Sequence, residues 1–339
     1  MSIMLTEAQD APNKVREFLS SDAEVYADLG RRLRDLNPAF VATIARGSSD
    51  HAAAYAAYLI PLCTGRVVAS IPPSVVTVLN SPINLKNQFA LALSQSGGSP
   101  DIIGTVDCIR KSGALTAAIV NDTSSRLAQT AEILLGQHAG QEKSIAATKT
   151  VLCTLTAIAR VVATWSQDLK LNDALHELPN VLKQAVEIGM GGDDQLLNDV
   201  SNVYVLSRGL GLTAALETAL KLKETCGIHA EAFSTAEVRH GPREIVDKDF
   251  LVIALAIPGS GQDDVIATAQ EMKAQGAKVI LVAPRSVGGT FALPEMMDAR
   301  LAPIAILQIL YPWFARCSKA LGKNPDSPKT LTSKVIRTI

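Results

Sequence analysis

Residues 89–101 read FALALSQSGGSPD and place a turn rich in serine and glycine directly after an apolar run. The run 89–94 has the length of a buried strand, and residues 99–113, SPDIIGTVDCIRKSG, have the composition of a helix. A strand that passes through a polar turn into a helix is the repeating unit of parallel α/β sheets. This stretch therefore predicts the fold class.

Apolar runs of this kind recur along the chain, and longer helix-like stretches separate them. We interpret six of them as buried parallel strands: VATIA (41–45), FALALS (89–94), LTAAIV (115–120), VYVLS (203–207), FLVIALAI (250–257) and KVILVA (278–283). Parallel strands that are buried on both faces read as continuous apolar runs. The pattern therefore predicts an α/β protein with doubly wound, mainly parallel sheets that are flanked by helices.

The chain also contains an internal repeat, since residues 99–120 resemble residues 262–283. Identical residues occur at one constant offset in three pairs: Asp101 and Asp264, Thr105 and Thr268, Gly113 and Gly276. Two α/β halves of the same design are therefore expected. The predicted segments are an N-terminal helical segment over 1–40, a first half over 41–185, a second half over 186–325 and a C-terminal tail over 326–339.

The composition argues against several classes of protein. The formal net charge is −1 and no cluster of Lys and Arg occurs, so a nucleic-acid partner is not expected. Five scattered cysteines without a CxxC pair indicate reduced thiols rather than a zinc site. The first residues lack a signal-peptide pattern, and the apolar runs are too short to span a membrane. We expect a cytoplasmic protein with no membrane partner.

The turn after the second predicted strand has the features of an anion site. Ser94, Ser96 and Ser99 offer hydroxyl donors, Gln95 offers an amide, and the glycines at 97–98 allow close approach. The positive end of the following helix would attract a phosphate. The alternative interpretation is a capping serine and a glycine turn, which many α/β proteins contain.

Two other polar turns follow predicted strands of the first half. ARGSSD (45–50) carries Ser48 and Ser49, and NDTSS follows at 121–125. Because the carboxyl ends of neighbouring parallel strands share one crevice, these turns are expected to converge with the serine turn. Three such turns together predict a sugar-phosphate site.

A helix from Thr213 carries ionisable groups among leucines. Glu217, Lys221 and Glu224 lie three or four residues apart, so they share one face of the helix. An ion pair between Glu217 and Lys221 is the simpler interpretation of the first two, whereas Glu224, near the helix end, can act as a base. His240, in a Gly-Pro turn, is a second acid/base candidate. No metal-ligand or dinucleotide motif is present, so no cofactor is expected.

Several motifs resemble a known family. SQSGGSPD, GQEKSIAATKT (140–150), ALKLKE, IHAEA and RHGP occur in the order found in the isomerase part of glutamine–fructose-6-phosphate aminotransferases. That part is a double SIS (sugar isomerase) fold, and the resemblance covers almost the whole chain from residue 41. It implies that the two predicted halves are two tandem SIS domains and that the tail closes the site.

The resemblance also implies roles for individual residues. The phosphate-binding positions are Ser94, Gln95, Ser96 and Ser99, and the positions at the sugar end are Ser48 and Ser49. The catalytic positions are Glu224 for proton transfer between C1 and C2, His240 for ring opening, Lys221 near the reacting carbons, and Lys334 in the tail. In that family the histidine reaches the neighbouring subunit's site, which implies a homodimer. Ala147 departs from the pattern, because the family has a serine there.

The activity that the resemblance implies depends on what differs from the synthases. The chain enters the SIS fold at about residue 40, so no glutaminase is expected, and EKSIAATK and LTSKV resemble stand-alone type II glucosamine-6-phosphate deaminases. The implied reaction converts glucosamine 6-phosphate and water to fructose 6-phosphate and ammonia. The alternatives are a fructosamine-6-phosphate deglycase, a synthase subunit without its glutaminase and, in another class, a non-catalytic sugar-phosphate sensor.

Overall fold

The computed structural model describes residues 2–328, which divide into two compact units. The N-terminal unit comprises residues 13–141 and 150–176, and the C-terminal unit comprises residues 2–12, 142–149 and 177–328. None of the helices in this described part is long and apolar enough to cross a membrane.

The N-terminal unit is built on one sheet of five parallel strands. The strands are β1 (Phe40–Ile44), β2 (Val67–Ser70), β3 (Phe89–Ser94), β4 (Leu115–Val120) and β5 (Ile133–Gly136). Their order in the sheet is β2-β1-β3-β4-β5. Every residue of β3 and β4 is buried, which explains why these two strands are apolar throughout.

Eight helices precede, connect or follow these strands. They are α1 (Ile3–Leu19), α2 (Ala23–Leu36), α3 (Ser48–Thr64), α4 (Ser74–Thr77), α5 (Pro100–Lys111), α6 (Arg126–Thr130), α7 (Lys149–Ser166) and α8 (Leu169–Met190). On one face of the sheet, Ile102, Val106 and Ile109 of α5 pack with small residues such as Ala90 and Ala118. The alanines let the helix approach the sheet closely, which places the amino end of α5 beside the end of β3.

The C-terminal unit contains a second sheet of five parallel strands. The strands are β6 (Asn202–Ser207), β7 (His229–Ser234), β8 (Phe250–Leu255), β9 (Lys278–Pro284) and β10 (Phe291–Leu293). Their order is β10-β9-β8-β6-β7. In each sheet the second strand along the chain is at one edge and pairs with the first, so the two sheets have the same topology.

The helices of the C-terminal unit include α-helices, a π-helical turn and short 3-10 helices. The regular helices are α9 (Gly211–Lys221), α10 (Thr235–Val238), α11 (Gln262–Ala274) and α12 (Ala302–Ala320). A π-helical turn, Leu222–Cys226, continues α9, and short 3-10 helices span Pro242–Ile245 and Ala299–Leu301. The helix α12 is buried along most of its length, as its apolar sequence predicts.

The structure confirms the predicted fold class and each of the six predicted strands, with small differences at the ends. It also shows the internal repeat in matched contacts. The Thr105 hydroxyl donates to the Asp101 carbonyl at 2.8 Å, and the Thr268 hydroxyl donates to the Asp264 carbonyl at 2.7 Å. Four strands, β2, β5, β7 and β10, were not predicted. The boundaries 41–185 and 186–325 stay a prediction.

Candidate functional site

The serine turn of the N-terminal unit connects β3 to α5. The Ser94 hydroxyl is 6% exposed and accepts a hydrogen bond from the Gly97 N–H at 3.0 Å, and the Ser96 hydroxyl accepts one from the Gly98 N–H at 3.3 Å. A hydroxyl that accepts a backbone hydrogen bond keeps its own proton for donation. The turn therefore holds two serine hydroxyls in place through their oxygens and leaves their protons available to a ligand.

Ser99 is the residue before α5, and its side chain makes no capping hydrogen bond. Pro100 starts the helix and has no N–H to be capped. Ser99 is thus the N-cap residue of α5 by position, but its hydroxyl does not cap the helix. Asp101 in the first helical turn is 1% exposed and pairs with Arg46, whose Nε lies 3.1 Å from its Oδ2.

The three polar turns of the first half converge, as predicted. The turn after β4 donates its Asn121 and Asp122 N–H groups to the Gln95 carbonyl at 3.2 and 3.3 Å. Gly97 lies against Ser125 of the same turn, and Arg46, next to the turn with Ser48 and Ser49 at the start of α3, reaches Asp101. All six predicted substrate-binding side chains thus belong to one set of adjoining turns at the carboxyl ends of β1, β3 and β4.

Gly97→Ala is expected to damage the serine turn. Gly97 has a φ of +60°, and a Cβ there would lie 2.1 Å from the Ser125 Oγ. We expect inorganic phosphate to raise the Tm of the native protein; the substitution should abolish that rise and lower the free energy of unfolding by about 1–3 kcal/mol. Thermal unfolding with and without phosphate measures both effects.

Gly104→Ala is the matched control, since this glycine is inside α5 and its added Cβ would only touch the Thr77 methyl at 3.5 Å. It should keep the phosphate response and be neutral or slightly stabilising, because alanine favours a helix interior. An unchanged phosphate response in Gly97→Ala would contradict the assignment of this turn.

Two catalytic candidates of the C-terminal unit, Lys221 and Glu224, meet at the end of α9. The Lys221 ammonium is buried and contacts two carboxylates, Glu217 Oε1 at 3.2 Å and Glu224 Oε2 at 2.6 Å. The expected ion pair between Glu217 and Lys221 is thus present. Glu217 is inaccessible, whereas the Glu224 side chain is 20% exposed. Glu224 is therefore the member of this trio that can meet a substrate.

Glu224 lies within the π-helical turn Leu222–Cys226. A π-turn has i→i+5 backbone hydrogen bonds and occurs frequently at functional sites. The Thr225 hydroxyl donates to the Lys221 carbonyl at 2.7 Å, and the Ser318 hydroxyl of α12 donates to the Thr225 carbonyl at 2.6 Å. These bonds fix the backbone on both sides of Glu224.

The charges of this trio alter the protonation of their neighbours. Burial alone would lower the pKa of Lys221, but the carboxylates of Glu217 and Glu224 outweigh it and raise that pKa above its ordinary value. The Tyr311 hydroxyl donates to Glu217 Oε1 at 3.4 Å, and burial together with that carboxylate raises the pKa of Tyr311. Lys221 is therefore a permanent cation and Tyr311 a permanent donor at neutral pH.

His240 follows α10 in an exposed turn. Its ring makes no hydrogen bond to any residue that the structure describes, so it is not joined to Glu224 in the same chain. The turn itself is well held, since the Tyr204 hydroxyl donates to the Pro242 carbonyl at 3.0 Å. An exposed imidazole on a fixed backbone is suited to act on a molecule that approaches from solvent or from another subunit.

The segment 142–149 includes Ala147, where the family has a serine. Glu7 of α1 holds this segment, because its carboxylate accepts the Lys143 N–H at 2.6 Å and the Ser144 N–H at 3.1 Å. Glu142 accepts the Thr148 N–H at 2.8 Å. The side chain of Ala147 has no polar group, so any substrate contact of this segment must come from the backbone or from other side chains.

Two further expectations from the sequence concern the tail lysine, Lys334, and metal binding. Lys334 lies outside the described residues. Within 2–328, no group of three or more His, Cys, Asp or Glu side chains is placed to hold a metal ion. Tyr311 was not predicted from the sequence; it belongs to the mostly apolar helix α12, and its hydroxyl needs a buried partner.

Comparison with known proteins agrees with this architecture. A profile of the SIS domain matches residues 40–163 and 196–286. The crystal structure of a candidate phosphosugar isomerase from Silicibacter pomeroyi is 35% identical, with a TM-score of 0.89 over 96% of this chain and all of that one. Glucosamine-6-phosphate deaminase from Thermotoga maritima, at 21% identity, shares the fold with a TM-score of 0.79 over 98% of this chain and 99% of that one.

Among curated relatives, a glutamine–fructose-6-phosphate aminotransferase (isomerizing) from Thermococcus kodakarensis is 28% identical over 351 residues. The match covers 98% of this chain but 57% of that protein, so the chain spans little more than half the length of this relative. The two segments that match the SIS profile cover more than half of the chain. The two sheets of this chain have the same topology as each other. The chain belongs to the SIS domain family.

Proposed function

We propose that this protein is a phosphosugar isomerase that also releases ammonia, converting glucosamine 6-phosphate and water to fructose 6-phosphate and ammonia. The observation that carries the proposal is the state of Glu224. One of its oxygens is held at 2.6 Å by a buried ammonium, while its side chain is 20% exposed. A carboxylate that is oriented from within and open on one side is suited to move a proton between adjacent carbons.

In the proposed reaction the serine turn binds the phosphate through the hydroxyls of Ser94, Ser96 and Ser99. A protein donor set without a metal is sufficient for this task, because hydroxyls, backbone N–H groups and a helix amino end all favour an anion. Gln95, Ser48 and Ser49 contact the sugar in this proposal. The phosphate supplies binding energy and orients the reacting carbons.

The chemistry then proceeds in three steps. His240 moves a proton between the ring oxygen and the anomeric hydroxyl, so the ring opens to the aldehyde. Glu224 removes the proton from C2 and returns it to C1, while the amino group gives up one proton and the oxygen at C1 gains one, so the amino aldehyde becomes an imine at C2 with a hydroxyl at C1. Water adds to that imine, the carbon–nitrogen bond breaks, and fructose 6-phosphate and ammonia leave. Lys221 holds Glu224 and stabilises negative charge that develops on the oxygen at C1.

The relatives support the class of substrate. The Thermococcus protein is described as an isomerizing aminotransferase of fructose 6-phosphate, and the Silicibacter protein as a candidate phosphosugar isomerase. The likeness to the Thermotoga deaminase supports only the fold of this chain and not its activity. Release of free ammonia is the step that our proposal adds, and the resemblance of the EKSIAATK motif to stand-alone deaminases supports it.

We also propose that the protein acts as a homodimer in the cytoplasm and that His240 serves the partner subunit. The supporting observation is that the His240 ring is exposed and is not hydrogen-bonded to Glu224 of its own chain. Mixing His240→Ala and Glu224→Gln subunits tests this idea. Mixed dimers should regain activity, because one of their two sites receives both native residues. No recovery after confirmed subunit exchange would mean that each subunit uses its own histidine.

The purified protein is expected to release ammonia and fructose 6-phosphate in equal amounts from glucosamine 6-phosphate. Coupled assays for both products in one reaction measure the ratio, and N-acetylglucosamine 6-phosphate is the control substrate because its amide nitrogen cannot leave as ammonia. Isomerisation of the sugar phosphate without release of ammonia would limit the function to that of an isomerase. Turnover of fructosamine 6-phosphates alone would identify a deglycase, and stabilisation by sugar phosphates without any turnover would identify a sensor.

A further inference from the structure

Arg239 directly precedes His240 and is bound by two carboxylates of α11. Its Nη1 lies 2.6 Å from Asp264 Oδ1, and its Nη2 lies 3.1 Å from Glu271 Oε1. The planar guanidinium can reach both carboxylates at once because its donors point in fixed directions. An ammonium at this position would be a single point charge and would not bind both with the same geometry.

Asp264 also holds the other end of the short helix before His240. The Thr235 hydroxyl, in the first residue of α10, donates to Asp264 Oδ2. Thr235 is the first residue of α10 and Arg239 directly follows its last, so the Asp264 carboxylate joins both ends of α10 to α11. Together with the bond from Tyr204 to the Pro242 carbonyl, this leaves His240 between two anchored residues.

The internal repeat shows that the start of α11 corresponds to the start of α5 in the first half. Asp264 is the counterpart of Asp101, and α11 is the counterpart of α5, the helix that follows the serine turn. The second half has IPGSGQDD (257–264) in place of SQSGGSPD (94–101), so its loop lacks most of the serine hydroxyls. The amino end of α11 is instead occupied by its own aspartates and by Arg239.

We infer that Asp264 and Glu271, through Arg239, position His240 for its part in the reaction. We call Arg239, Asp264 and Glu271 the arginine clamp. None of the three touches the substrate, so they are positioning residues. This inference rests on the proposed function only for the role of His240, whereas the restraint on the turn depends on contacts within one unit.

The first test measures that restraint without any substrate. Arg239→Ala and Asp264→Asn should each speed the hydrogen exchange of the backbone amides at 239–241 by about 10-fold, because local opening becomes easier. Arg285→Ala, which removes an exposed arginine of the same unit, should leave this exchange unchanged. Equal exchange in all four proteins would overturn the clamp, whatever the enzyme's activity proves to be.

The second test is a double-mutant cycle on turnover of glucosamine 6-phosphate. Arg239→Ala should lower kcat by about 10- to 100-fold with little change in KM, since a small displacement of a catalytic group is enough for such a loss. In the His240→Ala background the same substitution should have almost no further effect. Arg239→Lys should recover only part of kcat, because it keeps the charge and loses the second carboxylate.

The outcomes separate the two proposals. A full additional loss from Arg239→Ala in the His240→Ala background would show that Arg239 does not act through the histidine and would overturn the inference. A wild-type protein without turnover on glucosamine 6-phosphate would contradict the proposed function. The exchange measurement would still decide whether the clamp holds the turn.

Discussion

Glu224→Gln is expected to lower kcat for glucosamine 6-phosphate by about 10²- to 10⁴-fold, the usual contribution of a positioned acid or base. The substitution preserves the shape of the side chain, and the amide oxygen can still accept a hydrogen bond from Lys221. What it removes is the ability to take a proton from C2. Steady-state assays of fructose 6-phosphate formation measure the loss.

Binding should survive this change, because the serine turn belongs to the other unit of the chain. The Kd for inorganic phosphate should stay within about twofold of the native value, as expected for a residue that does not contact the ion. Glu187→Gln is the control, since it removes an exposed carboxylate of α8. A Glu224→Gln protein that unfolds or loses phosphate would show that Glu224 has a structural role instead.

Lys221→Met is expected to produce the largest loss of stability. Removing the ammonium leaves Glu217, which is inaccessible, and Glu224 without their common cation. Breaking a buried ion pair by removing one partner lowers the free energy of unfolding by about 3–5 kcal/mol. Urea denaturation at neutral pH measures this loss. Lys223→Met, two residues away and exposed, is the control and should change stability by less than about 0.5 kcal/mol.

The stability of the two proteins should depend on pH in different pH ranges. In the native protein the folded-state pKa of Lys221 is raised above its ordinary value of 10.5. Its contribution is therefore complete below that pH and is lost as the pH rises through the folded pKa. The Lys221→Met protein should instead recover stability as the pH falls into the acidic range, because protonation neutralises the buried Glu217 carboxylate, which has lost this cation. A deficit that does not change with pH would mean that lost packing, not charge, causes it.

The central strands could be predicted from the sequence because burial on both faces leaves a clear record. FALALS and LTAAIV are apolar at every position, and the structure places β3 and β4 there without any shift. The edge strands lack this record. β2 is mostly exposed, so its composition resembles a loop. In β7, His229 and Glu231 are exposed while Ala230 between them is buried, an alternation that identifies a strand with one solvent face.

The same division applies to the candidate site. Spacing along α9 predicted that Glu217 and Lys221 share one face, because contacts three or four residues apart are local. It could not show that Tyr311 of α12 completes the group, or that Asp264 and Glu271 hold Arg239. These partners are distant in sequence, and only the packing of helices around the second sheet brings them together. That the Ser99 hydroxyl does not cap α5 could not be predicted either, because composition does not determine a hydroxyl rotamer.

The π-helical turn has a consequence for the speed of the proposed chemistry. In water, a carboxylate that takes a proton must wait for surrounding dipoles to reorient as its charge changes, and this reorganisation is a large part of the barrier. Around Glu224 the neighbouring dipoles are already oriented by the Thr225 and Ser318 hydroxyls and by a buried ammonium. The carboxylate is therefore preorganised: its surroundings are arranged once, when the chain folds, and not again in each catalytic cycle.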